Sequence, residues 1–242
     1  MVLSPLLFKP LRCPGPREDD HVMLSDVRDV VFQRDPFDEI EARVNGSYFL
    51  FSTEPETLGR AGANLAMYAT VFLSDPSVTA QAQSATNCGW RMGTAGMMLR
   101  YLEAMFHLRD TEGGPLARYI WSDQAIQQRL AYERQELFGP RGLVMFTGNN
   151  DTVVHNMHLE VALFASGRCK TVELLSLEYK QARPNVSTCP YAVDHNRLFY
   201  SRFGTVPAVL HQFDRDPMLD AVLTHHWTQV AKTTFQIARD PW

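Results

Sequence analysis

HVMLSDVRDVVFQRDPF, residues 21–37, is the stretch on which the reading of this chain turns. An apolar run, Val22 to Leu24, stops at Ser25 and Asp26. Asp29 follows, and a second apolar run leads into a turn at Asp35-Pro36. A short apolar run closed off by polar residues is the pattern of a buried strand. In open α/β sheets, ligands lie outside the carboxyl ends of the strands. Asp26, Arg28 and Asp29 therefore stand where such a sheet would hold a ligand. The plainer reading is that the two acids form the turn that ends a strand, a role for which aspartate is well suited.

Composition sets the outer bounds. The chain has 242 residues, 45% hydrophobic and 21% charged, with a formal net charge of −4. That is an ordinary globular composition with ample material for a core. No Lys/Arg-rich run is present to follow a phosphate backbone, which argues against nucleic acid as a partner. No apolar stretch reaches the roughly 18–20 residues needed to span a membrane. The four cysteines, Cys13, Cys88, Cys169 and Cys189, lack CxxC spacing and so do not read as a zinc site. N-x-S/T triplets at Asn45, Asn150 and Asn185 tilt the expected compartment toward the secretory lumen.

Further along, SYFLFS (Ser47 to Ser52) reads as a second strand, and Glu54-Pro55 as the start of a helical stretch running toward Phe72 and ending at Asp75-Pro76. SDPSVTAQAQSA reads as a loop. A Gly-containing turn then leads into a helix, Thr94 to Leu108, with Met98, Leu102 and Met105 on one face; such a methionine stripe is core rather than a cofactor box. Ser122 is a good N-cap for the helix that follows, with Asp123 in its first turn. Gly142 to Gly148 reads as a strand, and TVPAVLHQFDRDP as another that ends on His211. Strands alternating with helices define an α/β protein, here taken as one domain over residues 1–242.

Two carboxylates and an imidazole that converge at a sheet edge suit Mn²⁺ or Mg²⁺ carrying a diphosphate, since hard cations take oxygen ligands and leave positions open for phosphate. An aspartyl nucleophile for phosphoryl transfer fits less well. It needs a second acid two residues on, whereas here the separation is three with Arg28 between.

Four segments in order carry a family resemblance. LSDVRDVVFQRDPF resembles the DxD-type metal-binding segment of the GT-A-fold nucleotide-diphospho-sugar glycosyltransferases. TNCGWRMGTA is similar to their Asn-x-Gly segment near the donor sugar, and SDQAIQQRL to their Asp-Gln helix start. VPAVLHQFDRDP is similar to their C-terminal strand with a metal-binding histidine. The resemblance spans most of Val22 to Pro217 and implies a GT-A-like mixed sheet flanked by helices. It implies that Asp26, Asp29 and His211 hold Mn²⁺ (or Mg²⁺), and that Asp26, Arg28 and Gly89 contact the nucleotide diphosphate sugar, a UDP-sugar foremost. Asn87, Asp123 and Gln124 would face the transferred sugar or its glycan, protein or lipid acceptor. A Golgi or other secretory-lumen setting goes with such enzymes.

The motif here is DxxD rather than DxD. Only 21 residues precede Val22, whereas the βα units that usually hold the nucleobase need about 60–90. The expectation is therefore a GT-A-like domain lacking part of its N-terminal half. A non-catalytic scaffold and a sugar-nucleotide hydrolase are its rivals. On this reading the carboxylates of Asp26 or Asp29 and the ring of His211 lie around one cleft, within reach of a shared cation.

Overall fold

The computed structural model describes residues 17–26, 29–118, 122–139, 143–148, 152–156, 191–193, 199–201 and 206–212. In chain order the elements begin with β1 (His21–Ser25), β2 (Val30–Phe32), α1 (Pro36–Glu41), β3 (Tyr48–Thr57) and α2 (Gly62–Phe72). Next come α3 (Val78–Gln81), β4 (Ser84–Thr94), α4 (Ala95–Thr111), α5 (Ser122–Glu133) and β5 (Leu143–Thr147). The last are β6 (Val154–Asn156), β7 (Tyr191–Val193), β8 (Phe199–Ser201) and β9 (Val209–His211).

The principal sheet has four strands in the order β1-β4-β3-β5. β4 runs antiparallel to both β1 and β3, while β5 is parallel to β3, so the sheet is mixed. A second sheet has the order β2-β9-β6, and among the described residues β7 pairs only with β8. The protein is thus α/β with a mixed sheet flanked by helices.

The central strand β3 explains the layering. Its apolar run is buried on both faces, and the pleat sends alternate side chains to opposite sides. Phe49 and Phe51 enter a core with Tyr68 of α2, Tyr101 of α4, Ile126 of α5 and Phe138. Phe49 stacks on Tyr101 with ring centroids 4.6 Å apart and lies 5.4 Å from Phe138. Tyr48 and Leu50 face the other way, into a core with Trp90 and Met92 of β4, Ile40 of α1, and Val154 and Val209 of the second sheet. The principal sheet is therefore covered by helices on one face and by the second sheet with α1 on the other.

Several expectations hold, and others are corrected. β1, β5 and β9 fall on the expected apolar runs, and α5 begins at Ser122. Glu54-Pro55 does not open a helix. β3 continues through it to Thr57, and α2 starts only at Gly62. Pro55 is tolerated because the β3–β4 register shifts between Thr53 and Thr57, where the ladder needs no N–H from it. The glycine-containing segment Thr86 to Thr94 is not a turn before a helix but part of the eleven-residue strand β4. On the β3 side its partners step from Phe51↔Arg91 to Ser52↔Asn87, so Cys88, Gly89 and Trp90 have no partner on β3, while Trp90 stays paired with Ser25 of β1. The SDPSVTAQAQSA stretch holds the short helix α3, whose N-cap Ser77 accepts from the Ala80 N–H at 3.2 Å.

Two further corrections concern helix faces and ends. α4 buries Met97, Met98, Tyr101, Ala104 and Leu108, leaving Leu102 of the expected stripe on the outer side. Asp35-Pro36 is a helix start rather than a bare turn. Asp35 caps α1 by accepting from the Phe37 N–H at 2.8 Å, with Pro36 in the first turn, where no N–H is needed.

The Phe49 side chain is fully buried among aromatic rings, so Phe49→Ala should lower unfolding free energy by about 3–5 kcal/mol. Leu99→Ala, at a position 59% exposed on α4, should change it by no more than about 0.5 kcal/mol. Urea denaturation of both variants measures the contrast.

Candidate metal centre

The chain passes from the principal sheet to the second sheet between Ser25 and Val30, and the two acids bracket this crossing. Each is pinned by its backbone. The Asp26 N–H donates to the Gly89 carbonyl at 2.8 Å, tying it to the β4 bulge, while the Asp29 carbonyl accepts from the Gln212 N–H at 2.7 Å. Gln212 reaches back because the chain bends sharply after β9, with Gln212 in the left-handed region at φ 62°. In the second sheet, β9 lies between β2 and β6, so His211 has Val30 on one side and Asn156 on the other.

These anchors bring the expected ligands together. His211 Nε2 lies 3.7 Å from Asp29 Oδ2 and 3.8 Å from Asp26 Oδ2. One donor atom from each of the three residues falls within 4.8 Å of the others. The His211–carboxylate separations are too long for hydrogen bonds. They match the roughly 3–4 Å spread of ligands around one ion bound at about 2.0–2.3 Å. The side chains grade from buried to open: His211 is 1% exposed, Asp29 19% and Asp26 60%. A cation here would rest on a buried imidazole and keep an open side for a second ligand.

Two further observations fit a cation. Asp29 Oδ1 is buried without a hydrogen-bond partner. Gly89 has no side chain where one would collide: a Cβ there would lie 2.0 Å from His211 Nε2 and 2.9 Å from Asp26 Oδ2. Glycine is required by this close approach, not by an unusual φ. Two hard carboxylate oxygens and an imidazole nitrogen form a donor set that can take a divalent cation.

Burial, followed by the Asp29 charge, holds the Asp26 carboxyl above its ordinary pKa, with Arg91 opposing. The folded chain thus binds that proton more tightly than the unfolded chain. The penalty for charging Asp26 sets in as pH rises from the ordinary carboxylate range and is complete only above the raised value.

The β4 bulge is held from behind by a polar relay. Asn87, 2% exposed, accepts from the Gly89 N–H at 2.8 Å and donates to Glu54 Oε1 at 3.0 Å. Glu54 Oε2 accepts from Asn64 at 3.1 Å, and Asn64 Oδ1 accepts from Gln124. Gln124 Oε1 in turn accepts from the Cys88 thiol at 3.5 Å, and Gln127 donates to the Asn87 carbonyl at 3.0 Å. Burial pushes the Cys88 thiol pKa up, with the Asp123 charge adding to it.

Of the residues expected at the site, Asp26, Asp29, His211 and Gly89 meet at one place. Asn87 and Gln124 are engaged in the relay. Asp123 is exposed in the first turn of α5, close enough to act electrostatically on Asp26 and Cys88. Arg28 lies outside the described residues. Sequence reasoning missed Glu54, Asn64 and Asn156. Glu54 and Asn64 gave a usable signal only as polar residues near apolar runs; Asn156 gave none. No protein-family model, curated protein or solved structure matches the chain.

Mn²⁺ at a hundred times its Kd should stabilise the wild-type chain by about 2.7 kcal/mol. Asp26→Asn should raise the metal-free melting temperature at pH 7 and remove most of the Mn²⁺ effect, as read by scanning calorimetry. Gly89→Ala should weaken Mn²⁺ binding at least ~10-fold and destabilise the fold by about 1–3 kcal/mol, because His211 has no room to retreat. Isothermal titration with MnCl₂ measures the binding change.

Proposed function

We propose that this chain is a divalent-cation-dependent glycosyltransferase of GT-A type that moves a sugar from a nucleotide diphosphate sugar, a UDP-sugar foremost, to an acceptor hydroxyl. The observation that carries the reading is the meeting of Asp26, Asp29 and His211 around the space left by Gly89. These residues come from two separate segments, both of which resemble that family's metal-binding motifs. The mixed sheet with flanking helices is compatible with the fold the resemblance implies.

Asp26, Asp29 and His211 would hold the cation, which when bound supplies Lewis-acid neutralisation of charge developing on the leaving diphosphate. The chain's own groups set the stage for this. His211 and Asp29 form the buried side of the site, while Asp26 faces solvent, from which the donor's phosphates would approach. Asn87 holds the bulge that presents Gly89, and Gln124 braces it through Asn64 and Glu54. Asp123, exposed in the first turn of α5, would meet the transferred sugar or acceptor. Among the described residues, no helix is long and apolar enough to cross a membrane.

The test is product analysis with a panel of UDP-sugars and Mn²⁺, with and without acceptors. Asp29→Asn keeps the shape of the side chain but offers a poorer ligand to a hard dication. In the metal-free chain it should melt at or a few degrees above wild type, because one of two neighbouring negative charges is gone, yet it should lose at least ~100-fold of cation-dependent transfer. Asp35→Asn, which preserves an N-cap, should be nearly silent. Transfer by Asp29→Asn at the wild-type rate and metal dependence contradicts the assignment. UDP released equally without acceptor points to the hydrolase instead. In calorimetry UDP should bind only with Mn²⁺ present; tight binding without the cation also counts against the reading.

A further inference from the structure

His211 is not held by its backbone alone. Its Nδ1 lies 2.8 Å from Asn156 Oδ1, and Asn156 is completely buried. The orientation of the Asn156 amide follows from its other contacts. The same side chain reaches the Thr53 carbonyl at 2.7 Å and Ser52 Oγ at 2.8 Å. A carbonyl oxygen only accepts, so the atom facing Thr53 must be the amide nitrogen. The amide oxygen then faces His211, and it too can only accept, so the hydrogen of that bond belongs to Nδ1.

We infer that Asn156 is a positioning residue that fixes neutral His211 as its Nδ1–H tautomer and so directs the Nε2 lone pair toward the space shared with Asp26 and Asp29. The inference rests on the cation-site reading above and adds how its nitrogen ligand is prepared. Neutral histidine in water favours the opposite tautomer, with the hydrogen on Nε2. That hydrogen would occupy the position a cation needs. In the fold, the choice is made from the far side of the ring, by a residue that touches neither the cation nor a substrate. Such outer partners of ligating histidines set both tautomer and ring orientation.

Asn156 also places the ring in space. Its amide is anchored on β3 of the principal sheet, while its oxygen holds a histidine of the second sheet. Asp26 hangs from the end of β1 in the principal sheet, and His211 ends β9 in the second. The Asn156 bridge therefore sets the separation of ligands that belong to different sheets.

The test reads the tautomer directly in the metal-free full chain. Long-range ¹H–¹⁵N correlation of ¹⁵N-histidine-labelled protein, with the His211 signals identified by their loss in His211→Ala, should give the Nδ1–H pattern at a pH where the ring is neutral. The Nε2–H pattern overturns the inference, whatever any variant does. In Asn156→Ala the ring should lose that pattern, and Mn²⁺ affinity by titration calorimetry should fall about 10–100-fold. His211→Ala and Asp29→Asn separate the two levels. Should both bind Mn²⁺ as wild type does, the cation-site reading itself fails. Should both lose binding while folded Asn156→Ala keeps wild-type affinity, the site stands and Asn156 has no positioning role. If Asn156→Ala does not fold, the wild-type tautomer decides.

Discussion

The candidate centre depends on one crossing of the chain. Leaving β1 after Ser25 and entering β2 at Val30, the backbone must pass from the principal sheet to the second sheet. It does so with an acid at each end of the step. Both carboxylates converge on His211, with donor atoms within 4.8 Å of one another. Two like charges about 4 Å apart repel by roughly 1 kcal/mol in water and about 4 kcal/mol at the effective dielectric of a protein surface. The exposure of Asp26 keeps this toward the lower figure. A fold that needed only a turn here would gain by exchanging either acid for asparagine. A cation bound there would turn the repulsion into attraction and tie the sheets together.

Much of the surrounding structure serves to keep that crossing in place. The β4 bulge brings the Gly89 carbonyl to the Asp26 N–H and leaves no Cβ beside His211. The bulge is itself unusual within a long strand; Asn87 accepts from its Gly89 N–H, and Gln127 donates to the adjoining Asn87 carbonyl. Buried amides and a carboxylate raise the stakes, since an unmet polar group in a dry interior costs about 1–3 kcal/mol. The relay from Asn87 through Glu54 and Asn64 to Gln124 meets that demand and links the site to α2 and α5. The aromatic core on the helix face, around Phe49, Tyr101 and Phe138, holds these helices against the sheet.

The elements that frame the site were legible in the sequence where hydrophobic runs ended abruptly. β1 and β9 were readable because Val22–Leu24 and the apolar residues before His211 stop at polar side chains. β4 was not, because Thr-Asn-Cys-Gly carries turn chemistry. What makes it a strand is tertiary pairing with β1 and β3 on both sides, together with the amide of Asn87 closing the bulge. Pro55 misled for the same reason, since the register shift that admits it appears only once two strands are aligned. Asn156 was beyond reach: a three-residue strand shows no periodicity, and its partner Ser52 lies 104 residues earlier. Ligands sit in segments with a local signature, whereas the groups that orient them are fixed by long-range packing.

Anomalous X-ray scattering from crystals grown with Mn²⁺ tests the central claim most directly, because it locates the ion independently of any activity. The structure predicts a single strong manganese peak among Asp26, Asp29 and Nε2 of His211, within about 2.0–2.3 Å of each ligand atom. No peak there at saturating Mn²⁺, or a peak bound by other residues while these three keep their places, would contradict the account.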